Sequence, residues 1–168
     1  PLTTAEQMAK DILNWPGNNP QDTVLSNNGK TVQVKLVQQN PALEVTVTLK
    51  RLIEQNNKGL WFVVSAQTAG IKLESAGQSP QSPSSSVTFQ GTGLLADGQT
   101  TTTLFDHTLT PINLSSVSLS VDGTGVYSGT LFYSNITPDQ QGILLIQSAP
   151  PAGSVEVGQL LLASVILG

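Results

Sequence analysis

The sequence predicts an α+β unit over residues 1–72 followed by an all-β sandwich over residues 73–168. Three observations carry this prediction. Apolar residues near the start recur at helical spacing, whereas later they alternate with polar ones at the spacing of a strand. Every Lys and Arg lies at or before residue 72. Beyond that point short strand patterns follow one another, separated by turn residues, with no helical period.

The first element is a helix. Thr3-Thr-Ala-Glu6 matches a capping box, in which the Thr3 hydroxyl and the Glu6 carboxylate satisfy free amides of the first turn. Ala5, Met8, Ala9, Ile12 and Leu13 then form one apolar stripe. Trp15-Pro16-Gly17 ends it, because proline offers no amide and disfavours helix in the residue before it.

Three strands follow. Thr31–Val37 puts Val32, Val34 and Leu36 on one face, and Leu43–Lys50 alternates apolar Leu43, Val45, Val47 and Leu49 with polar neighbours. The turn-rich Gln38-Gln-Asn-Pro-Ala42 between them predicts a hairpin. Leu60–Gln67 is the third, headed by Trp61 and Phe62, and a short piece near Thr23–Ser26 adds an edge strand. One amphipathic helix on an antiparallel meander is an α+β arrangement.

A boundary is expected between Ile71 and Val87. Residues 1–72 hold seven basic and five acidic residues, a net charge of +2, while residues 73–168 hold six acids and no base, −6. The stretch Ser75-Ala-Gly-Gln-Ser-Pro-Gln-Ser-Pro-Ser-Ser-Ser86 has the composition of a loop, either a free linker or one pinned to the sandwich. Ile71–Leu73 is a candidate first strand of the second unit.

The second half is organised around Gly125–Ser148. Val126, Ser128, Thr130 and Phe132 fall on one face of an extended chain, and Tyr127, Gly129, Leu131 and Tyr133 on the other. Ile143–Ile146 is apolar on both faces, as in a strand at the centre of a sandwich. The remaining strands are Val87–Gly91, Thr100–Phe105, Val117–Val121 and Gln159–Leu167, with turns at Ala96-Asp-Gly98, Asp122-Gly-Thr-Gly125, Thr137-Pro-Asp139 and Ala149-Pro-Pro-Ala-Gly153. Six or seven short strands in about 95 residues is the count of an immunoglobulin-like sandwich.

Composition narrows the function. Charged residues make up 11% of the chain, against roughly 25% in ordinary soluble domains. Ser, Thr, Gln and Asn supply the polarity instead, as in many exported β proteins. A net charge of −4 argues against nucleic acid, whose phosphates need clustered Lys or Arg. With no cysteine there is no disulfide, thiolate metal site or cysteine nucleophile. Pro1 and the missing signal peptide suggest a mature or trimmed fragment. The longest apolar run, Leu160–Gly168, has nine residues, short of the ~20 that span a bilayer, and reads as a last strand buried on both faces.

In the second half Ser86-Val-Thr-Phe-Gln-Gly-Thr-Gly93, Leu104-Phe-Asp-His-Thr-Leu-Thr-Pro-Ile112, Gly129-Thr-Leu-Phe-Tyr133, and Gly142–Ser148 with the closing Gln159-Leu-Leu-Leu strand form one pattern of strands and turns. That pattern resembles the immunoglobulin-like domain of bacterial spore-germination and related envelope proteins, often called the Gmad2 type. It covers about residues 71–168 and implies a secreted or lipid-anchored envelope protein in which the domain is non-catalytic. It carries no functional residues over. Gly59-Leu-Trp-Phe-Val-Val64 weakly resembles part of NTF2-like or cystatin-like domains.

Candidate sites are few. Asp106-His107 holds the only histidine, but neighbours on a strand point to opposite faces, so the acid could not orient the imidazole as a hydrolytic triad requires. Asp97, Asp106, Asp122 and Asp139 lie in or near turns, where calcium ligands occur but where Asp also bonds nearby amides; no Asp-x-Asp-x-Asp spacing exists. No metal or cofactor is expected. Gly91-Thr-Gly93 and Gly123-Thr-Gly125 precede no helix and fit hairpins rather than a phosphate cradle. Asn113-Leu-Ser and Asn135-Ile-Thr are glycosylation sequons, meaningful only in a eukaryotic secretory host. Trp61 and Phe62 alternate faces, so one packs under the helix. Trp61, Tyr127 and Tyr133 are the candidates for an aromatic ligand surface.

Three functions follow in rank. The first is a non-catalytic, extracellular or cell-surface module, lipid-anchored upstream, whose partner is an envelope protein or cell-wall polymer. The second is a carbohydrate-binding module, which needs coplanar exposed aromatics in a chain with 5% aromatic residues. The third is an enzyme with a pocket in the first unit's sheet, whose inward positions are nevertheless apolar.

Overall fold

Local hydrogen bonding sets the start of the chain. The computed structural model describes residues 1–16, 19–39, 42–52, 59–79, 85–93, 95, 100–113, 119–134, 140–149 and 158–167. The chain divides into two units, residues 1–69 and 70–168. Helix α1 (Leu2–Leu13) buries Ala5, Met8, Ala9 and Leu13. It begins two residues too early for the expected capping box. Pro1 is the N-cap, no side chain caps the helix, and the Pro1 carbonyl accepts from the Ala5 amide at 3.0 Å. Thr3 therefore lies within the first turn and cannot serve as the N-cap. Asn14 ends the helix in the left-handed conformation (φ 55°), and Trp15 beyond it is buried.

The sheet of the first unit comprises β1 (Thr23–Asn27), β2 (Thr31–Gln39), β3 (Ala42–Arg51) and β4 (Trp61–Gln67), in that spatial order and antiparallel throughout. The β2–β3 hairpin pairs Val32 with Leu49, Val34 with Val47 and Leu36 with Val45. All six are at most 2% exposed, so the alternation in sequence became one buried face. Each such side chain contributes about 1.5–3 kcal/mol relative to exposure. Helix α1 packs against β2 and β4. In the β3–β4 pairing the register shifts between Thr48 and Leu49 of β3, leaving Val64 of β4 as the extra residue of a bulge. β1 is the edge strand, exposed along its whole length.

In the second unit one layer has the order β5–β6–β9–β8, formed by β5 (Lys72–Ser79), β6 (Ser85–Thr92), β9 (Val126–Tyr133) and β8 (Ser120–Val121). The other has β7 (Thr100–Phe105), β10 (Gln140–Ser148) and β11 (Gln159–Leu167), with β10 in the middle. All pairings are antiparallel. A common core takes Val87, Phe89, Tyr127, Leu131 and Tyr133 from the first layer and Leu104, Leu144, Ile146, Leu161, Val165 and Leu167 from the second. The layers thus form a β-sandwich. Leu144, Leu145 and Ile146 are all buried, as are Leu160, Leu161 and Leu162, so these segments are covered on both faces.

One expectation is overturned. Residues 75–79, read as loop from their Ser and Gly content, form most of β5, and Ser85 and Ser86 begin β6. The pairing of Ala76 with Phe89 and Gly77 with Thr88 supplies the ladder that local propensity did not favour. Lys72 starts this strand and belongs to the second unit. The expected turns at 96–98, 137–139 and 150–153 lie outside the described residues, as do 117–118 of the expected Val117–Val121 strand.

Candidate functional site

The predicted aromatic surface does not form. Tyr127 and Tyr133 are both fully buried, because the Tyr127, Gly129, Leu131, Tyr133 face of β9 is the one turned to the core. Trp61 pairs with Arg51 and shares the face of Val47 and Leu49. It is half-buried, with the Arg51 guanidinium 5.9 Å from its ring centroid. Phe62 points to the other face and is 37% exposed. No coplanar group results from these three positions.

Asp106 and Asp122 build two turns of the same design. Asp106 Oδ1 accepts from the Thr108 amide (2.8 Å), the Thr108 hydroxyl (2.7 Å) and the Thr110 amide (3.0 Å). Asp122 Oδ1 accepts from the Thr124 amide (2.9 Å), the Thr124 hydroxyl (2.6 Å) and the Val126 amide (2.9 Å). The fourth residue of each is left-handed, Leu109 (φ 63°) in one and Gly125 (φ 82°) in the other. The Thr108 hydroxyl bond first, and backbone bonds after it, hold the Asp106 carboxyl below its ordinary pKa. The Thr124 hydroxyl leads the same effect at Asp122. His107 sits exposed in the first turn, and the acid beside it is committed to Thr108 and Thr110. Among the described residues no group of three acidic or histidine side chains could hold a metal ion. Asp97 and Asp139 lie outside them.

The glycine pairs divide. Gly123-Thr-Gly125 is hairpin geometry, joining β8 to β9. Gly91 is not: a Cβ there would collide with the Lys72 carbonyl and the Tyr127 hydroxyl. Asn113 is half-buried and its Oδ1 accepts from the Leu104 amide at 3.2 Å; the rest of its sequon, and Asn135, lie outside the described residues.

Two concavities among the described residues bear on the binding and enzyme readings. The smaller, about 300 Å³, lies in the first unit and is lined by Trp15, Pro16, Asn19, Val37, Gln38 and Gln39. Among the described residues its lining holds no acid, base or nucleophile of the kind the enzyme reading requires. The larger, about 600 Å³, lies on the outer face of the β5–β6–β9–β8 layer. Cross-strand register builds it. Ser75 pairs with Gln90, Gln90 with Ser128 and Ser128 with Ser120, giving one polar row across four strands. The adjacent row is Gly77, Thr88 and Thr130. No lining side chain is charged. The next row contains Phe132, 46% exposed.

None of these groove residues stands out in the sequence. Half of the signal was present in the polar face of β9 (Ser128, Thr130), but the row is incomplete unless Ser75 is recognised as strand. Among the described residues no helix is long and apolar enough to cross a membrane. Comparison with known protein families, curated proteins and solved structures finds no match.

Proposed function

We propose that this chain is a non-catalytic module of the bacterial cell envelope, extracellular or on the cell surface, holding an envelope protein or a cell-wall polymer. In this reading residues 70–168 are an immunoglobulin-type sandwich of the Gmad2 kind, and the protein is a lipoprotein of sporulating or related cells. Strand order supports the fold. With β5 to β11 lettered A to G, the layers are A-B-E-D and C-F-G, the constant-type immunoglobulin order. The disulfide and strand-C tryptophan of antibody domains have no counterpart, because the chain lacks cysteine and β7 reads Thr-Thr-Thr-Thr-Leu-Phe.

The observation that carries a binding role is the broad, uncharged concavity on an outer sheet face. A catalytic role would rest on His107, whose neighbouring acid is bound into its own turn. The test is sedimentation of the purified chain with isolated bacterial envelope fractions, wild type beside His107→Gln. Both proteins are expected to pellet with an envelope fraction and to hydrolyse nothing in a general esterase, peptidase and glycosidase screen. Failure to pellet with any fraction, or turnover that His107→Gln abolishes without unfolding the chain, rejects the reading.

A further inference from the structure

We infer that the outer groove of the β5–β6–β9–β8 layer binds a neutral glycan, with the sugar chain lying across the strands. The inference rests on the binding-module reading and assigns it a site and a ligand class. A volume of about 600 Å³ falls in the range of small-molecule sites, about 300–1,000 Å³. Its lining distinguishes among ligands. An anion would call for Lys or Arg, a cation for carboxylates, and an apolar ligand for exposed Leu, Val or Phe at the centre. Phe89 contributes to the floor but is only 2% exposed and packs in the core, so the groove presents mainly hydroxyls and one primary amide. Lys72 stands on β5 beyond the groove and is not part of its lining.

These groups are also available. The Thr88 hydroxyl donates to the Gly77 carbonyl at 3.2 Å. The side chains of Ser75, Gln90, Ser120, Ser128 and Thr130 make no hydrogen bond within the described protein. Hydroxyls that both donate and accept, with an amide that does the same, complement the hydroxyls of a sugar, which also do both. Neighbouring strands lie about 4.8 Å apart, close to the length of one pyranose residue in an extended chain. The row Ser75, Gln90, Ser128, Ser120 therefore offers successive rings one polar group each. Small side chains and Gly77 keep the backbone low enough for a ring to approach. Phe132, in the row beyond Thr130, is a single exposed ring against which one sugar face can pack, so the hydrogen-bonding row stands in for the coplanar aromatics that the sequence reading asked of a carbohydrate-binding module.

The test uses the full chain, isotope-labelled, titrated with β-1,4-linked glucose hexamer, β-1,4-linked N-acetylglucosamine hexamer and an oligogalacturonate of the same length. At least one neutral hexamer is expected to shift the amides of β5, β6 and β9 saturably, while the acidic oligomer does not. Gln90→Ala is expected to weaken binding about tenfold, and Ser128→Arg, at an exposed position, to abolish it with the spectrum otherwise retained. Three results overturn the inference: no binding of either neutral hexamer, shifts confined to another surface, or tighter binding of the acidic oligomer. Wild type and Ser128→Arg that pellet equally with envelope fractions, with no hexamer bound, reject the glycan groove and leave the envelope reading standing. Hexamer binding without envelope pelleting rejects the envelope reading alone.

Discussion

The Tyr127 hydroxyl donates to the carbonyl of Lys72 at 2.9 Å, tying β9 to β5 across the intervening β6. The bond passes over Gly91, the one residue of β6 that leaves it room. A glycine in the middle of a strand ordinarily weakens it. Here its missing side chain lets a buried phenol reach a backbone acceptor two strands away.

Gly91→Ala is therefore expected to destabilise the second unit by about 3 kcal/mol, since neither the Lys72 backbone nor the packed phenol can withdraw. Tyr127→Phe keeps the ring and loses the bond, at a cost of about 1 kcal/mol. Urea denaturation of both variants checks the order. A Gly91→Ala protein as stable as wild type would show that β5 is not held at this distance.

The same tyrosine predicts an alkaline transition. Burial, and after it the Glu74 carboxylate, push its hydroxyl up to about 12 from an ordinary 10.0. Because the folded value is raised, its contribution to stability is complete below pH 10.0 and is lost as pH rises toward about 12. Wild type should lose stability more steeply than Tyr127→Phe across that window in parallel urea titrations. Equal slopes would contradict it.

The twin turns make opposite predictions at equivalent positions. Leu109 holds a left-handed conformation (φ 63°) that costs a residue with a Cβ roughly 1–2 kcal/mol, whereas Gly125 (φ 82°) adopts it freely. Leu109→Gly should raise stability by about 1 kcal/mol, and Gly125→Ala should lower it by about the same. Thermal unfolding of the two variants separates them by sign.

Acid should act on both turns. The carboxyls of Asp106 and Asp122 titrate below the ordinary 3.8, so what they contribute is present above that value and lost as pH falls through the lower folded one. Carbon-detected NMR titration should place both midpoints below 3.8. Thr124→Ala should move the Asp122 midpoint back toward it, because the Thr124 hydroxyl is the largest single cause of the shift.

Thr102 carries a fully buried hydroxyl without a hydrogen-bond partner among the described residues, on a residue 6% exposed. Replacing an unsatisfied hydroxyl by a methyl group of similar size removes a desolvation cost. Thr102→Val is expected to stabilise the protein by about 1 kcal/mol in urea. A loss of that size would show that the hydroxyl is hydrogen-bonded in solution.

The sequence by itself determined the elements whose faces differ in polarity. Helix α1, the β2–β3 hairpin and β9 all follow from apolar spacing, since a buried face admits only one phase of helix or strand. The inward row Val32, Val34, Leu36 and the alternation along β9 were legible residue by residue. Only the tertiary structure decided which face of β9 turns inward. Both faces carry an aromatic, and burial went to Tyr127 and Tyr133, where Gly91 and the Lys72 carbonyl receive one of them, while Phe132 was left exposed. It also decided that Ser75-Ala-Gly-Gln-Ser79 is strand rather than loop, because its hydrogen bonds come from β6 rather than from its own propensity. The candidate groove depends on that result. Its polar row exists only when four strands separated in sequence are brought into register.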